Sequence, residues 1–294
     1  MADGRPIVVG VDGSDGSAAA VQWAAREASL RKLRLRIVHA TVPTHLPAMR
    51  STAAATTTEW RKQAERTAAR GVEAARRSVP SLTVESKVYL NQTPAAALAG
   101  ESESATLLVV GARGGGGFAG LQLGSTAVQV IELVPGPLVV VRGSAAGALS
   151  GPTAARIVVG VDGSEPSQRA LRFAVGEAAA NGTGVIAIHA WTKPWHPALR
   201  SFEVPGGANW SFLEPQAAAV LAESVARATA DFSDVQVTER LLNDQPADAL
   251  LQASQEADLL VVGSRGASSL LGRVLGSVSH TVIHHADCPV AVVR

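Results

Sequence analysis

The octapeptide Ile-Val-Val-Gly-Val-Asp-Gly-Ser at residues 7–14 returns letter for letter at 157–164, an offset of 150 residues. A chain that repeats itself over that distance is built from two copies of one unit, and each copy must be able to bury its own apolar faces. The repeat continues along the chain. Val38-His39-Ala40 answers to Ile188-His189-Ala190 at the same offset. Residues 107–114 answer to 259–266, and 137–142 to 289–294, both at an offset of 152. The two copies therefore differ in their middle by a net two residues. These matches divide the chain into domains at 1–143 and 156–294, with an Ala-, Gly- and Ser-rich linker at 144–155.

Within each copy, short apolar runs alternate with helical patterns. Residues 7–11 and 107–110 are continuous apolar runs of the kind buried on both faces of a parallel sheet. In the first copy, helices are predicted over 17–33, 59–77, 94–103 and 124–133, and strands over 7–11, 34–40, 82–90, 106–111 and 138–141. In the second, helices are predicted near 167–180, 214–232, 247–256 and 276–285. The order β-α-β-α-β-α-β-α-β with right-handed crossovers makes each copy an α/β, doubly wound domain. The predicted architecture is two tandem domains, each with a five-stranded parallel sheet of order 3-2-1-4-5 flanked by helices.

Composition bounds the class of function. Hydrophobic residues at 47% against 17% charged residues suit a packed core. A net charge of +1 leaves no basic footprint for nucleic acid. The single cysteine, Cys288, excludes an internal disulfide and is expected to be a buried, inert thiol; it fits a reducing compartment, and the expected location is the cytoplasm. The N-terminus lacks the apolar stretch of a secretory signal, and no apolar run approaches the roughly 20 residues of a membrane helix. Neither membrane nor nucleic acid is an expected partner.

The chemistry concentrates in a glycine loop that also occurs twice. Gly111-x2-Gly114-x9-Gly124-Ser125 and Gly263-x2-Gly266-x9-Gly276-Ser277 lie between the fourth strand and the fourth helix of each copy. Glycine lets the backbone turn and approach a ligand closely, and Gly-Ser at a helix N-terminus presents free N–H groups where the helix dipole favours an anion. Thr126 and Val278 follow within the same first turn. In a 3-2-1-4-5 sheet the order reverses between strands 1 and 4, and ligands bind outside the carboxyl ends there. Asp12 and Asp162, with Gly13 and Gly163 behind them, end strand 1 and would face the loops across that crevice. The loop has neither the Gly-Lys-Ser/Thr of a Walker motif nor a G-x-G-x-x-G after strand 1. With no lysine to clamp a transferring phosphate, binding is favoured over phosphoryl transfer, and no catalytic residue is assigned.

These residues resemble the universal stress protein family, specifically its ATP-binding, tandem-domain members. The likeness rests on the strand-1 Val-Asp-Gly-Ser, the strand-2 His-Ala, the two spaced glycine loops and the Pro-Leu-Val-Val-Val ending of the first copy. It implies that Asp12 and Asp162 contact the adenine and ribose side, and that Ala40 and Ala190 offer backbone to the adenine ring. Gly111, Gly114, Gly124 and Ser125 would hold ribose and phosphates, as would Gly263, Gly266, Gly276 and Ser277. Arg113 and Arg265 lie inside the loops, where they would reach phosphate or solvent. The implied function is a regulatory adenine-nucleotide sensor in the stress response, with one ATP per domain. The alternatives are a slow ATPase or phosphotransferase, with Mg²⁺ bridging Ser125 or Ser277 to phosphate, and an interaction module whose nucleotide is structural. The likeness further implies that strands 138–141 and 290–293, read as exposed edges, pair domains within the chain and support a homodimer, with a regulatory protein partner of unknown identity.

Other residues have plainer readings. His39 and His189 are expected to be structural and hydrogen-bonded. His280 and His284 have metal-pair spacing, with His285 adjacent, but no Glu completes H-E-x-x-H and the first copy has Gln129 and Leu133 near those positions, so no metal site is expected. Trp191, Trp195 and Trp210 flank a Pro- and Gly-containing loop in the second copy, a lid over the adenine or, the reading preferred, loop packing.

Overall fold

The computed structural model describes residues 4–42, 53–115, 122–142, 156–192, 213–266 and 275–294, with the backbone alone over 53–57. The first copy runs β1 (Ile7–Gly10), α1 (Asp15–Leu30), β2 (Leu35–Thr41), α2 (Ala53–Ser78), β3 (Val84–Leu90), α3 (Pro94–Ser102), β4 (Leu107–Gly111), α4 (Ser125–Leu133) and β5 (Leu138–Val141). The second runs β6 (Arg156–Gly160), α5 (Glu165–Asn181), β7 (Gly184–Trp191), α6 (Leu213–Thr229), β8 (Val237–Asn243), α7 (Pro246–Ser254), β9 (Leu259–Gly263), α8 (Ser277–His285) and β10 (Val290–Val293). The expected order of strands and helices holds throughout. The linker at 144–155 has no described residues.

The chain forms two compact units. The first comprises residues 1–148 together with 287–292 and 294; the second comprises 149–286 and Val293. In the first unit the strands lie in the order β3-β2-β1-β4-β5, as the sequence predicts. They are parallel, with Ile7 opposite both Leu35 and Leu107. Ile7, Val8 and Val9 are buried because helices cover both faces of the central strands, which is why β1 reads as an unbroken apolar run. In the second unit β8, β7, β6 and β9 repeat the same order.

The two final strands pair with each other within the chain, as expected, so β5 is not left as an open edge. Val139 and Val140 pair antiparallel with Ala291 and Val290, which belong to the same compact unit, and Leu138–Val141 is buried along its whole length. Apolar edge strands leave backbone donors that demand a partner, and each of these two strands supplies it to the other.

The helix boundaries have local causes. Ser14 and Ser164 cap α1 and α5 by accepting the N–H of Ser17 and Ser167. The turns before them need a left-handed residue, which Gly13 (φ +85°) and Gly163 (φ +79°) provide. At the far ends the copies differ. α5 stops on Gly182 at φ +64°, whereas α1 is followed by Lys32 at φ +55°.

The copies also differ on the sheet face beneath α3 and α7. In the first, the Glu101 carboxylate accepts from Arg36 at 2.6 Å, Lys87 at 2.8 Å and the Tyr89 hydroxyl, and Arg36 also binds Glu85 at 2.6 Å. The Arg36 and Glu101 side chains are only 11% and 4% exposed. In the second copy the positions matching Arg36, Tyr89 and Glu101 carry Ile186, Leu242 and Ala253, while Arg240 answers to Lys87 and Thr238 to Glu85. The second copy thus keeps one cation of the cluster without the carboxylate at its centre.

Candidate functional site

At the carboxyl ends of β1 and β4 a cavity of about 390 Å³ opens where the strand order reverses. Its polar side is Asp12 with the loop residues Gly111, Arg113 and Gly114, and its end is the first turn of α4, namely Gly124, Ser125 and Thr126. Val38 and Ala40 of β2, Val110 of β4 and Leu98 of α3 supply an apolar wall.

Asp12 is placed by its own turn. Its Oδ1 accepts the Ser14 N–H at 3.0 Å and the Ser14 hydroxyl at 2.5 Å, and its Oδ2 accepts the Gly115 N–H at 2.9 Å. The flanking loops partly desolvate the carboxyl, which alone would raise its pKa. The hydrogen bonds from Ser14, Gly115 and Ser17 outweigh that and hold it below the usual range. It is a carboxylate at neutral pH. Among the described residues Ser14 holds Oδ1 and Gly115 holds Oδ2, which fixes the carboxylate at the wall of the cavity. An ionised carboxylate here accepts a hydroxyl or amino group and repels an anion, so the two ends of the cavity differ in what they can hold.

The glycines of the loop are not interchangeable. A Cβ on Gly114 would lie 2.3 Å from Asp12 Oδ2, and one on Gly266 would lie 2.6 Å from Asp162 Oδ2. The second glycine of each motif is thus required by the aspartate of its own copy. Gly124 is different. A Cβ there would meet nothing nearer than Gly114 N at 3.5 Å, ordinary contact, and its φ of −76° suits any residue. Protein packing does not require glycine at that position.

Gly124 is also the N-cap of α4 and offers no side chain to the first turn, in contrast to Ser14 on α1 and Thr93 on α3. The N–H groups of Ser125, Thr126 and Ala127 have no acceptor among the described residues, and all three residues line the cavity. An uncapped N-terminus with the positive end of the helix dipole facing an open cavity suits an anion.

The second copy builds the same frame. Asp162 Oδ1 accepts the Ser164 N–H at 3.0 Å and its hydroxyl at 2.5 Å, and Gly276 donates to the Ser264 carbonyl at 2.9 Å, as Gly124 does to Ala112 at 2.7 Å. Gly276 is the uncapped N-cap of α8, which begins Ser277-Val278. Gly263 ends β9 with a Cβ position only 2.8 Å from Pro166, Arg265 and Gly266 follow it, and Ala190 lies near the end of β7 opposite Leu242.

Of the residues singled out in the first copy, Asp12, Ala40, Gly111, Arg113, Gly114, Gly124, Ser125 and Thr126 line one cavity; Gly13 does not, and serves the turn behind Asp12. Sequence reasoning missed Leu98 and Pro94. Pro94 opens α3 and Leu98 lies one helical turn later, so their i, i+4 spacing marked one face of α3 without saying what that face bounds. His39 and His189 have the expected structural role. Each donates Nδ1–H to the carbonyl that precedes its aspartate, Val11 or Val161, at 2.7 Å. Cys288 is buried, as expected. His280 and His284 stack with ring centroids 4.4 Å apart. Among the described residues no cluster of three metal-ligating side chains occurs, and no helix is long and apolar enough to cross a membrane. Trp195 and Trp210 lie outside the described residues, as do Gly116 and Gly117.

A doubly wound α/β domain, used twice and carrying this loop at its switch point, has known counterparts. The universal stress protein family matches residues 4–142 and again 154–294. The chain belongs to the universal stress protein family, in tandem form. It is 35% identical to the universal stress protein Rv2623 of Mycobacterium tuberculosis, over 98% of this chain and 96% of that protein. A universal stress protein of Mycolicibacterium smegmatis matches at 35% with the same coverage. Among solved structures, a universal stress protein from Archaeoglobus fulgidus superposes with a TM-score of 0.71 over 99% of both chains; at 20% identity that likeness speaks to fold.

Proposed function

We propose that each repeat binds one adenine mononucleotide, ATP, and that the protein is a regulatory adenine-nucleotide sensor of the stress response. The observation that carries this reading is the pairing, across one cavity, of an uncapped helix N-terminus with an ionised aspartate that lines it. The first seats phosphate and the second accepts a ribose hydroxyl or the adenine amino group. The apolar wall of Val38, Ala40 and Leu98 suits a base, and a volume of about 390 Å³ falls within the usual range of roughly 300–1,000 Å³ for small-molecule sites. In the second repeat Asp162, Ala190, Gly266, Gly276, Ser277 and Val278 take the corresponding roles, with Gly163, Gly263 and Arg265 supporting the loop.

Equilibrium dialysis with labelled ATP tests the proposal. Saturable binding of two equivalents per chain is expected, and no saturation at millimolar nucleotide would overturn it. Mass spectrometry of small molecules released from the purified protein gives an independent check.

A second reading follows from the Ser125 hydroxyl at the cavity. Mg²⁺ held between Ser125 or Ser277 and phosphate would activate water for slow hydrolysis or phosphotransfer. Phosphate release that disappears on combining Gly124→Glu with Gly276→Glu would favour it. The regulatory reading places the output in a protein partner and in a homodimer. Because β5 is already paired, a homodimer would use a different surface from the one the sequence suggested.

A further inference from the structure

A groove of about 590 Å³ runs between α7 and the sheet of the second repeat. Val158, Ile186, Ile188 and Leu242, from β6, β7 and β8, form its floor, and Ala249 and Ala253 of α7 form its wall. Val158, Ile188 and Ala249 are buried, whereas Ile186 and Leu242 are only half-buried. The rim is polar, with Arg156, Arg240 and, just past α7, Glu256.

The first repeat fills the matching place from within. There the Glu101 carboxylate, on α3, accepts from Lys87 of β3 at 2.8 Å, from Arg36 of β2 at 2.6 Å and from the Tyr89 hydroxyl. In the second repeat Ala253 stands where Glu101 does, so the carboxylate is gone, but the cation of the outer strand remains as Arg240. Ile186 and Leu242 replace Arg36 and Tyr89, which makes the vacated space apolar on its sheet side.

Arg156 is paired with Glu256, whereas Arg240 has no hydrogen bond or ion pair among the described residues. The groove therefore carries one uncompensated cation beside an apolar floor. A ligand with a single carboxylate and an apolar body matches both features at once.

We propose that the α7 groove of the second repeat is a binding site for a small amphipathic monocarboxylate. Its carboxylate takes at Arg240 the place that Glu101 takes at Lys87, and its apolar body lies on Ile186, Ile188 and Leu242. Two strand spacings separate β6 from β8, roughly 10 Å, which suits an acyl chain of medium length. Nucleotide binding is not required for it.

Calorimetric titration of the full chain with octanoate, octanol and acetate tests the proposal. Octanoate is expected to bind at one equivalent per chain, octanol about fivefold more weakly and acetate about a hundredfold more weakly. Arg240→Gln should weaken octanoate by about fivefold or more, the scale of a charge-assisted hydrogen bond at a half-open site. Arg240→Lys, which installs the cation the first repeat uses, should restore most of that loss. Ala253→Glu returns the first repeat's carboxylate to the second and should abolish binding; if that variant does not fold, the two Arg240 variants decide. Octanol bound as tightly as octanoate, wild-type affinity in Arg240→Gln, or no saturation at millimolar octanoate would overturn the proposal. So would a wild-type dimer that Ala253→Glu dissociates, because a second copy of the chain would then occupy the groove.

Discussion

Gly114→Ala and Gly124→Ala alter two glycines of one motif, and the structure expects opposite consequences. At Gly124 an added methyl meets its nearest atom at 3.5 Å and the backbone φ is −76°, so neither overlap nor strain arises. Alanine is a poorer N-cap than glycine, by an amount on the order of 1 kcal/mol. It also restricts the unfolded chain, a gain of about 0.4–1 kcal/mol. The two nearly cancel, and the melting temperature should move by no more than about 2–4 °C. The methyl does, however, stand beside the uncapped N–H groups, and ATP should weaken at the first site by about tenfold or more, so that one of two equivalents is lost. At Gly114 the methyl would lie 2.3 Å from Asp12 Oδ2. The carboxylate must swing away from the Gly115 N–H, and overpacking of this kind costs about 1–3 kcal/mol, toward the lower end in an exposed loop. Both variants are assayed by thermal denaturation and by ATP titration. A Gly124→Ala protein that binds two equivalents of ATP with wild-type affinity would refute the assignment of the α4 N-terminus as the phosphate seat.

Other outcomes follow from the same contacts. Because hydrogen bonds hold the folded-state pKa of Asp12 below 3.8, its contribution is present above that value and lost as pH falls through the lower folded value; Asp12→Asn, costing no more than about 1 kcal/mol at neutral pH for so exposed a group, should flatten the acid limb of the stability curve below pH 3.8. Tyr89, the chain's one tyrosine, is pushed up to about 12, first by its bond to Glu101 and then by burial; its tyrosinate absorbance should appear near pH 12, and the stability it lends, full below pH 10, should fade between 10 and 12. Glu101→Ala leaves the nearly buried Arg36 with Glu85 as its remaining carboxylate and should cost about 1–3 kcal/mol in denaturant unfolding. Lys32→Gly places glycine where α5 already uses Gly182, and relief of the left-handed backbone should stabilise the protein by up to about 1 kcal/mol in a melting experiment.

The fold was largely legible because the pattern was written twice. A match at 7–14 and 157–164 aligned every strand and helix, and burial of β1 on both faces followed from its unbroken apolar run. Boundaries were less legible where composition misled. α2 begins at Ala53, inside the Ala- and Thr-rich run 53–58 that reads as loop; alanine carries a helix well once it has started. α1 begins at Asp15, directly after its Ser14 cap, two residues before the first predicted helical position. The site was legible as two halves, an aspartate turn and a glycine loop. Its third side was not: Leu98 shows in the sequence as one more apolar residue on a short helix, and only the chain's path brings α3 over the end of β1. Nor could spacing reveal that Gly114 and Gly124 are glycine for different reasons.

That difference bears on how such a motif can change over time. The glycine at 114 is tied to the carboxylate at 12, and the glycine at 266 to that at 162, because a Cβ at either position would lie 2.3 or 2.6 Å from the carboxylate oxygen, with no ligand involved. A lineage that abandoned the aspartate would release its glycine to drift, while one that kept the aspartate for the turn alone would preserve the glycine long after any ligand was gone. The second glycine of the loop therefore records the history of the turn, and the first, whose Cβ would lie 2.6 Å from Gly16 O or 2.8 Å from Pro166 C, the packing of the strand end against α1 or α5. In the first repeat the third, Gly124, which the protein's own packing does not need, records whether something still binds; Gly276 sits more tightly, its Cβ position 3.3 Å from Arg265 Cα.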